Sequence, residues 1–266
     1  KKSCDGEIIL GCLSLELMYS NGSGIQQDIT VKNYKKRCDA GDAKGCSYLW
    51  NMYADGVGIK TDVIEAAKYS RKACDGGIGI TCYFLGHAYE DGSGVKRDFV
   101  TALKYFKKAC AESYYRSCYF LGLKYSGTSL GNKDIVTAAK YYKKACDGDI
   151  ASACHSLGGA YEDGRGVIRN FATAFHYYQK SCDGGYDSAC SSLEYMIATG
   201  KGTKKDTVKA FMYYKKSCDS EVASACYLLG MAYEDGEGVK KNLVEAVKYY
   251  KLACDSGYIT SCKKLY

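Results

Sequence analysis

The chain has 266 residues, with 16 cysteines, 30 glycines, 27 tyrosines, one tryptophan, no proline and a net charge of +7. With 47% hydrophobic and 25% charged residues, it is too apolar to stay disordered. It lacks the proline of a collagen, and it has no apolar run of the ~18 residues that a membrane span needs. The modest positive charge falls short of a basic nucleic-acid stripe, and no RNA-recognition, zinc-finger or helix-turn-helix motif accompanies it, so no nucleic-acid partner is expected.

In chain order the cysteines form eight Cys-x7-Cys pairs: Cys4 and Cys12, Cys38 and Cys46, Cys74 and Cys82, Cys110 and Cys118, Cys146 and Cys154, Cys182 and Cys190, Cys218 and Cys226, Cys254 and Cys262. From Cys38 to Cys254 the first members recur every 36 residues, and the interval before Cys38 is 34. A fixed period of that size marks a repeat architecture. Residues 1–11 form an N-terminal stub in which Lys1-Lys2-Ser3-Cys4-Asp5 matches Lys215-Lys216-Ser217-Cys218-Asp219. The chain is therefore expected to begin within a repeat, with a helix upstream. Seven units follow, at 12–38, 46–74, 82–110, 118–146, 154–182, 190–218 and 226–254, and a C-terminal stub closes the chain at 262–266. No linker interrupts them, so residues 1–266 read as a single repeat array.

Superposed, the units read Cys-x2-Leu-Gly-x2-Tyr-Glu-Asp-Gly-x-Gly-Val-x2-Asp-x3-Ala-x-Lys-Tyr-Tyr-Lys-Lys-Ala-Cys, most clearly at Cys82–Cys110 and Cys226–Cys254. Counting from the first cysteine, helix A is expected to bury Leu at +3 and Tyr at +7, as at Leu85 and Tyr89. Glycine at +4 (Gly86, Gly122, Gly158, Gly230) costs helix stability by roughly 1 kcal/mol against alanine, which points to close helix-to-helix approach. Helix A should stop at Gly-x-Gly, where left-handed conformations are easy. Helix B should open on Asp28, Asp62, Asp98, Asp134, Asn170, Asp206 or Asn242, residues suited to N-caps. Inside it, alanine at 66, 102, 138, 174, 210 and 246, with an aromatic residue three positions on, shares one face with that ring. Lysines such as Lys107, Lys108, Lys143 and Lys144 suit its negative end.

Cys-x7-Cys is not a zinc spacing, and three histidines add little, so no metal or cofactor is expected. Residues eight apart on one helix lie about 12 Å apart, too far for a disulfide. The chain must reverse between the partners, which Asp75-Gly76-Gly77-Ile78-Gly79-Ile80-Thr81 allows. Pairing across a hairpin, Cys46 with Cys74 for example, would strand Cys4 and Cys262, whereas local pairing uses all sixteen. The expected pairing is therefore each cysteine with the one eight residues on. Eight such bonds imply an oxidising compartment, either secreted or periplasmic, with any signal peptide removed.

The stretches at 157–167 and 229–239, which read Leu-Gly-x-Ala-Tyr-Glu-Asp-Gly-x-Gly-Val and are followed by Asp or Asn-x3-Ala, resemble the Sel-one-like repeat, a relative of the tetratricopeptide repeat. Together with a Cys-x7-Cys at every junction, they make the chain similar to the Helicobacter cysteine-rich protein family. The resemblance implies an all-α, right-handed solenoid of helix-turn-helix repeats, braced by those disulfides. Three units depart from the pattern: one reads Ser126-Gly127-Thr128-Ser129-Leu130-Gly131 in the loop, another has Glu194 and Ile197, and the first lacks two residues.

A solenoid offers a long concave wall. Positions +1, +5 and +8 of helix A vary between units and fall on a different face from the core positions. The tetratricopeptide resemblance implies the same face for ligands. The binding candidates there are Asn51, Tyr83, His87, Tyr119, Leu123, His155, Tyr195, Tyr227 and Met231, side chains that combine contact area with polar tips. The expected partner is a peptide or protein bound by a monomeric scaffold, and the family resemblance implies a host or cell-envelope protein as its class.

The alternative, penicillin binding with weak β-lactamase activity, comes from the family resemblance. Ser93-Gly94-Val95-Lys96 and Ser261-Cys262-Lys263-Lys264 match Ser-x-x-Lys, but neither Ser-Asp-Asn nor Lys-Thr-Gly occurs. No catalytic residue is therefore assigned. The histidines His87, His155 and His176 lie in different units, and the repeated Glu-Asp-Gly reads as a structural turn.

Overall fold

The computed structural model describes residues 24–127 and 133–265. Among them are fourteen helices and no strand: α1 (Gly24–Asp39), α2 (Ala43–Asp55), α3 (Val63–Asp75), α4 (Gly79–Asp91), α5 (Phe99–Ala111), α6 (Tyr115–Ser126), α7 (Ile135–Asp147), α8 (Ala151–Asp163), α9 (Phe171–Asp183), α10 (Asp187–Thr199), α11 (Thr207–Asp219), α12 (Ala223–Asp235), α13 (Leu243–Asp255) and α14 (Ile259–Cys262). The architecture is all-α, a solenoid of helical repeats in which α2, α4, α6, α8, α10 and α12 are helices A and α3, α5, α7, α9, α11 and α13 are helices B. The chain divides into two compact units, one ending at Cys118 and the other starting at Tyr119. The Cys4–Cys12 pair and most of the divergent loop (128–131) lie outside the described residues. One local expectation is corrected: α1 opens at Gly24, so Asp28 stands inside the helix rather than at its N-cap.

The other helix B caps form as the sequence suggests. Asp62 accepts from the amides of Ile64 and Glu65, Asp134 from Thr137, Asn170 from Thr173, and Asn242 from Val244 and Glu245. Each satisfies an orphan helical N–H, worth about 1 kcal/mol. The helices A other than α6 end on the first residue of Gly-x-Gly in the left-handed conformation, with φ of 73° at Gly56 and 79° at Gly236. The second glycine meets the preceding repeat. A Cβ on Gly94 would lie 2.0 Å from the Val63 carbonyl oxygen, and one on Gly238 2.0 Å from that of Thr207. Only a bare backbone can lie that close to the first turn of the previous helix B.

Two aromatic arrangements recur along the array, the first in every described hairpin but α10–α11, which has Ile197 at +7, and the second in the four hairpins with glycine at +4. The tyrosine at +7 stacks on the tyrosine at +23, with ring centroids 5.5 Å apart for Tyr53 and Tyr69 and 5.6 Å for Tyr161 and Tyr177 and for Tyr233 and Tyr249. The ring at +24 presses on the glycine at +4: a Cβ on Gly158 would sit 2.8 Å from Tyr178, and one on Gly86 2.6 Å from Phe106. The helix-weakening glycine is thus the seat of a buried ring. The +3 leucines (Leu49, Leu85, Leu121, Leu157, Leu193, Leu229) are buried throughout, each contributing roughly 2–3 kcal/mol.

Seven disulfides join each helix B end to the next helix A: Cys38–Cys46, Cys74–Cys82, Cys110–Cys118, Cys146–Cys154, Cys182–Cys190, Cys218–Cys226 and Cys254–Cys262. The Cα atoms of Cys146 and Cys154 are 4.7 Å apart, because the chain reverses between them as the spacing requires. Replacing both Cys146 and Cys154 by serine should lower stability by about 2–3 kcal/mol, the loop-closure entropy of so short a ring, measured by urea denaturation. The reversal also needs a left-handed residue three positions after the first cysteine. Glycine supplies it at Gly41, Gly77, Gly185 and Gly257, but Ser113 (φ 60°), Asp149 (φ 61°) and Glu221 (φ 65°) supply it with side chains. Glu221→Gly should therefore raise stability by about 0.5–1 kcal/mol in the same measurement, since a left-handed non-glycine residue costs more than glycine's extra chain entropy.

Candidate functional site

The candidate residues separate into two kinds. Those at +1 are wedged against rings. Tyr83 lies 4.6 Å from His87, 5.7 Å from Phe106 and 5.2 Å from Tyr114, measured between ring centroids. Tyr119 meets Tyr142 at 5.9 Å, and Tyr227 meets Tyr250 at 5.6 Å and Tyr258 at 5.1 Å. His155 sits between Tyr178, at 5.4 Å, and Tyr186, at 5.1 Å. Burial lowers its pKa against the pull of Glu162, which favours the neutral imidazole. Tyr83, His155 and Tyr227 thus join the helix B ring to the turn that begins the next repeat, and all four residues are half-buried.

Position +5 is more varied. Leu123 and Tyr195 are 43% and 55% exposed. Asn51 is buried and donates to the Asp55 carboxylate at 2.8 Å. Asn51 and His87 line one cleft of about 370 Å³ between α2, α3 and α4. Met231 lines the cleft at the same register between α10, α11 and α12, of about 80 Å³.

Two of the +8 glutamates, Glu162 and Glu234, are tied into the packing. Glu162 accepts from the Tyr178 phenol at 2.8 Å and from Lys201 at 2.9 Å, and Glu234 accepts from the Tyr250 phenol and from Lys264. Burial raises the Glu162 pKa, but its bonds to Lys201 and Tyr178 outweigh that and hold the carboxylate ionised.

Sequence reasoning missed two features. Phe84 at +2 is 38% exposed beside Trp50, the ring centroids 4.9 Å apart. An aliphatic residue at +18 is exposed on several helices B, at Ile64, Val100, Val136, Val208 and Val244. Its recurrence was the available signal, but periodicity alone does not separate an exposed column from a buried one.

No group of histidine, cysteine, aspartate and glutamate able to hold a metal ion occurs among the described residues. Of the Ser-x-x-Lys matches, Ser93 lies in an exposed loop, and Ser261 is buried in α14 with its hydroxyl donating to the Tyr250 carbonyl. No described helix is long and apolar enough to cross a membrane.

The unusual titratable group is Glu194. It occupies +4 on α10, where four other units hold glycine beneath the +24 ring, and it is completely buried. One oxygen accepts from Ser217 at 2.7 Å, and the other has no hydrogen-bond partner. Burial pushes its pKa up to about 7, with Ser217 opposing, and the buried Tyr214 phenol beside it is raised to about 12. A carboxyl whose folded pKa exceeds its unfolded value of 4.5 stabilises fully below the unfolded value, and the contribution is lost as pH rises through the folded one. Urea midpoints should therefore show roughly 3 kcal/mol of stability lost between pH 4.5 and pH 8 that is absent from Glu194→Gln.

Stacked helix hairpins with a variable helix A face, no metal cluster among the described residues and a disulfide at each junction define a helical-repeat scaffold of the tetratricopeptide-like class. The Sel1 repeat matches at residues 6–31, 46–78, 80–114, 116–149, 151–186, 189–221 and 223–258, and the chain belongs to the Sel1-repeat family. No curated protein sequence matches it. It is similar to the solved structure of c5321, a protective antigen present in uropathogenic Escherichia coli strains displaying an SLR fold, at 26% identity and a TM-score of 0.76 over 88% of this chain. The chain spans 50% of the length of that protein. A Sel1 repeat protein from Oxalobacter formigenes has the same fold, at 24% identity and a TM-score of 0.73 over 98% of this chain and 80% of its own. Helicobacter pylori cysteine rich protein B shares 34% identity over 50% of this chain and 96% of its own, with a TM-score of 0.41. The fold is one that typically mediates protein–protein interaction, and the seven disulfides fit a non-cytoplasmic protein.

Proposed function

We propose that this protein is a secreted or periplasmic scaffold that holds an extended peptide or protein segment on its helix A face, with a host or cell-envelope protein as the partner. The observation that carries this reading is the exposure of large apolar side chains at +5, Leu123 and Tyr195, at positions that differ from unit to unit while the surrounding core repeats. Isolated exposed apolar residues are ordinary, but a register that changes chemistry on a fixed frame is how repeat scaffolds acquire specificity. The Escherichia coli relative is named a protective antigen, and antigens of that kind are met by a host, which supports an exported location here.

The half-buried +1 residues Tyr83, Tyr119, His155 and Tyr227 contribute through their outer edges, so truncating them would disturb packing as well as binding. The decisive variant is therefore Leu123→Ser/Tyr195→Ser, at exposed sites. Peptides selected from a random displayed library on the oxidised protein should bind this variant at least about tenfold more weakly, with the circular dichroism melt unchanged. Selected peptides that bind it at full affinity would overturn the reading.

A further inference from the structure

We propose that the cleft between α2, α3 and α4 is an anchor pocket for a basic side chain of the bound segment, arginine in preference to lysine. The inference rests on the helix A reading above and names the chemistry that one part of that face selects.

The cleft lies in the one described hairpin that has a large residue at +4 and a small one at +24. In four other hairpins glycine at +4 receives a phenylalanine or tyrosine at +24, as Gly86 receives Phe106 and Gly158 receives Tyr178, and in α10–α11 the +24 ring of Tyr214 stands over Glu194. In the α2–α3 hairpin the +4 residue is Trp50 and the +24 residue is Ser70, whose hydroxyl turns inward to the Thr81 carbonyl at 2.8 Å. The indole fills the interior of the hairpin, and the space that the +24 ring occupies in other repeats is left open beside it. Where Tyr214 stands at +24, the equivalent cleft measures about 80 Å³; beside Ser70 it measures about 370 Å³. That volume falls within the range of about 300–1,000 Å³ typical of ligand pockets.

The lining selects a cation. Trp50 and Phe84 form an aromatic wall, their centroids 4.9 Å apart. Asp55 and Asp91, the last residues of α2 and α4, both line the cleft and are exposed. Neither makes an ion pair among the described residues, and Asp55 accepts only from the Asn51 amide. No lysine or arginine lines the cleft, although the chain as a whole carries a net charge of +7, so the acidic rim does not follow from composition. A planar cation lying against rings and between carboxylates gains cation–π attraction and charge-assisted hydrogen bonds together. Guanidinium is more weakly hydrated than ammonium and presents its donors as a fork, which favours arginine.

Trp50 is the only tryptophan of the chain, so its emission reports occupancy directly. The oxidised protein is titrated at low salt with acetyl-Gly-Gly-Arg-Gly-Gly-amide, its lysine counterpart and its isosteric citrulline counterpart, each to about 10 mM. Saturable change with the arginine peptide is expected, at least about tenfold tighter than with citrulline, and lost in Asp55→Asn/Asp91→Asn. Trp50→Gly/Ser70→Tyr rebuilds the ring-on-glycine pair of the other hairpins and fills the cleft. By calorimetry it should bind none of the peptides while keeping a cooperative melt. No response to the arginine peptide, an equal response to citrulline, or binding that survives Asp55→Asn/Asp91→Asn overturns the inference. Library peptides that need Leu123 and Tyr195 but carry no basic residue and ignore Asp55→Asn/Asp91→Asn overturn it too, and leave the helix A reading standing. Arginine-dependent binding in the cleft, with library peptides indifferent to Leu123→Ser/Tyr195→Ser, overturns that reading and not this one.

Discussion

Everything in this fold depends on a chain reversal closed by a disulfide at the junction between repeats. Four of the helices A have little to start them: Ile78, Ile150, Tyr186 and Val222 stand at the N-cap position without any side-chain cap, whereas Asp42 caps α2. What places each of these helices is the preceding helix B, to whose last turn it is tied by the bridge. In the reversal itself Ser113, Asp149 and Glu221 take the left-handed region that glycine adopts in the other junctions. With entry and exit angles set there, the second glycine of each Gly-x-Gly can be pressed onto the previous helix B, and the next hairpin follows in register.

Within that frame the +4 and +24 positions act as one packing unit. A ring above a glycine is the ordinary solution, and the units that break it do so in compensating ways. Trp50 with Ser70 exchanges large for small and opens a cleft, while Glu194 beneath Tyr214 buries a carboxyl with one unsatisfied oxygen. Close-packed interiors do not absorb such changes silently. One becomes free volume with exposed aromatic surface, the other a charge penalty that only protonation relieves. Departures from the repeat are thus where individual chemistry enters an otherwise uniform scaffold.

The helix A face shows how far periodicity carries and where it stops. Spacing puts +1, +5 and +8 on one side of the helix, but not what covers them. Glu162 and Glu234 are taken up by the tyrosine hydroxyls of helix B, and Tyr83, His155 and Tyr227 by a tyrosine in the turn of the following repeat. Only +5 retains broad exposure, and even there Asn51 is turned into a bond with Asp55.

Some of this was legible in the residues themselves. The 36-residue period, the hairpin of each unit, its caps at Asp62 to Asn242 and the Cys-x7-Cys bridges follow from local rules: a helix needs a cap, a short disulfide needs a reversal, and a glycine kept at a costly position needs a neighbour. The tertiary structure alone decided which neighbour that is, and so decided the site. That Phe106 and not another ring sits on Gly86, that Ser70 leaves a cleft beside Trp50, and that Glu194 has no second partner are all relations between helices. They depend on how side chains from separate elements share volume and hydrogen bonds, which no spacing along one helix encodes.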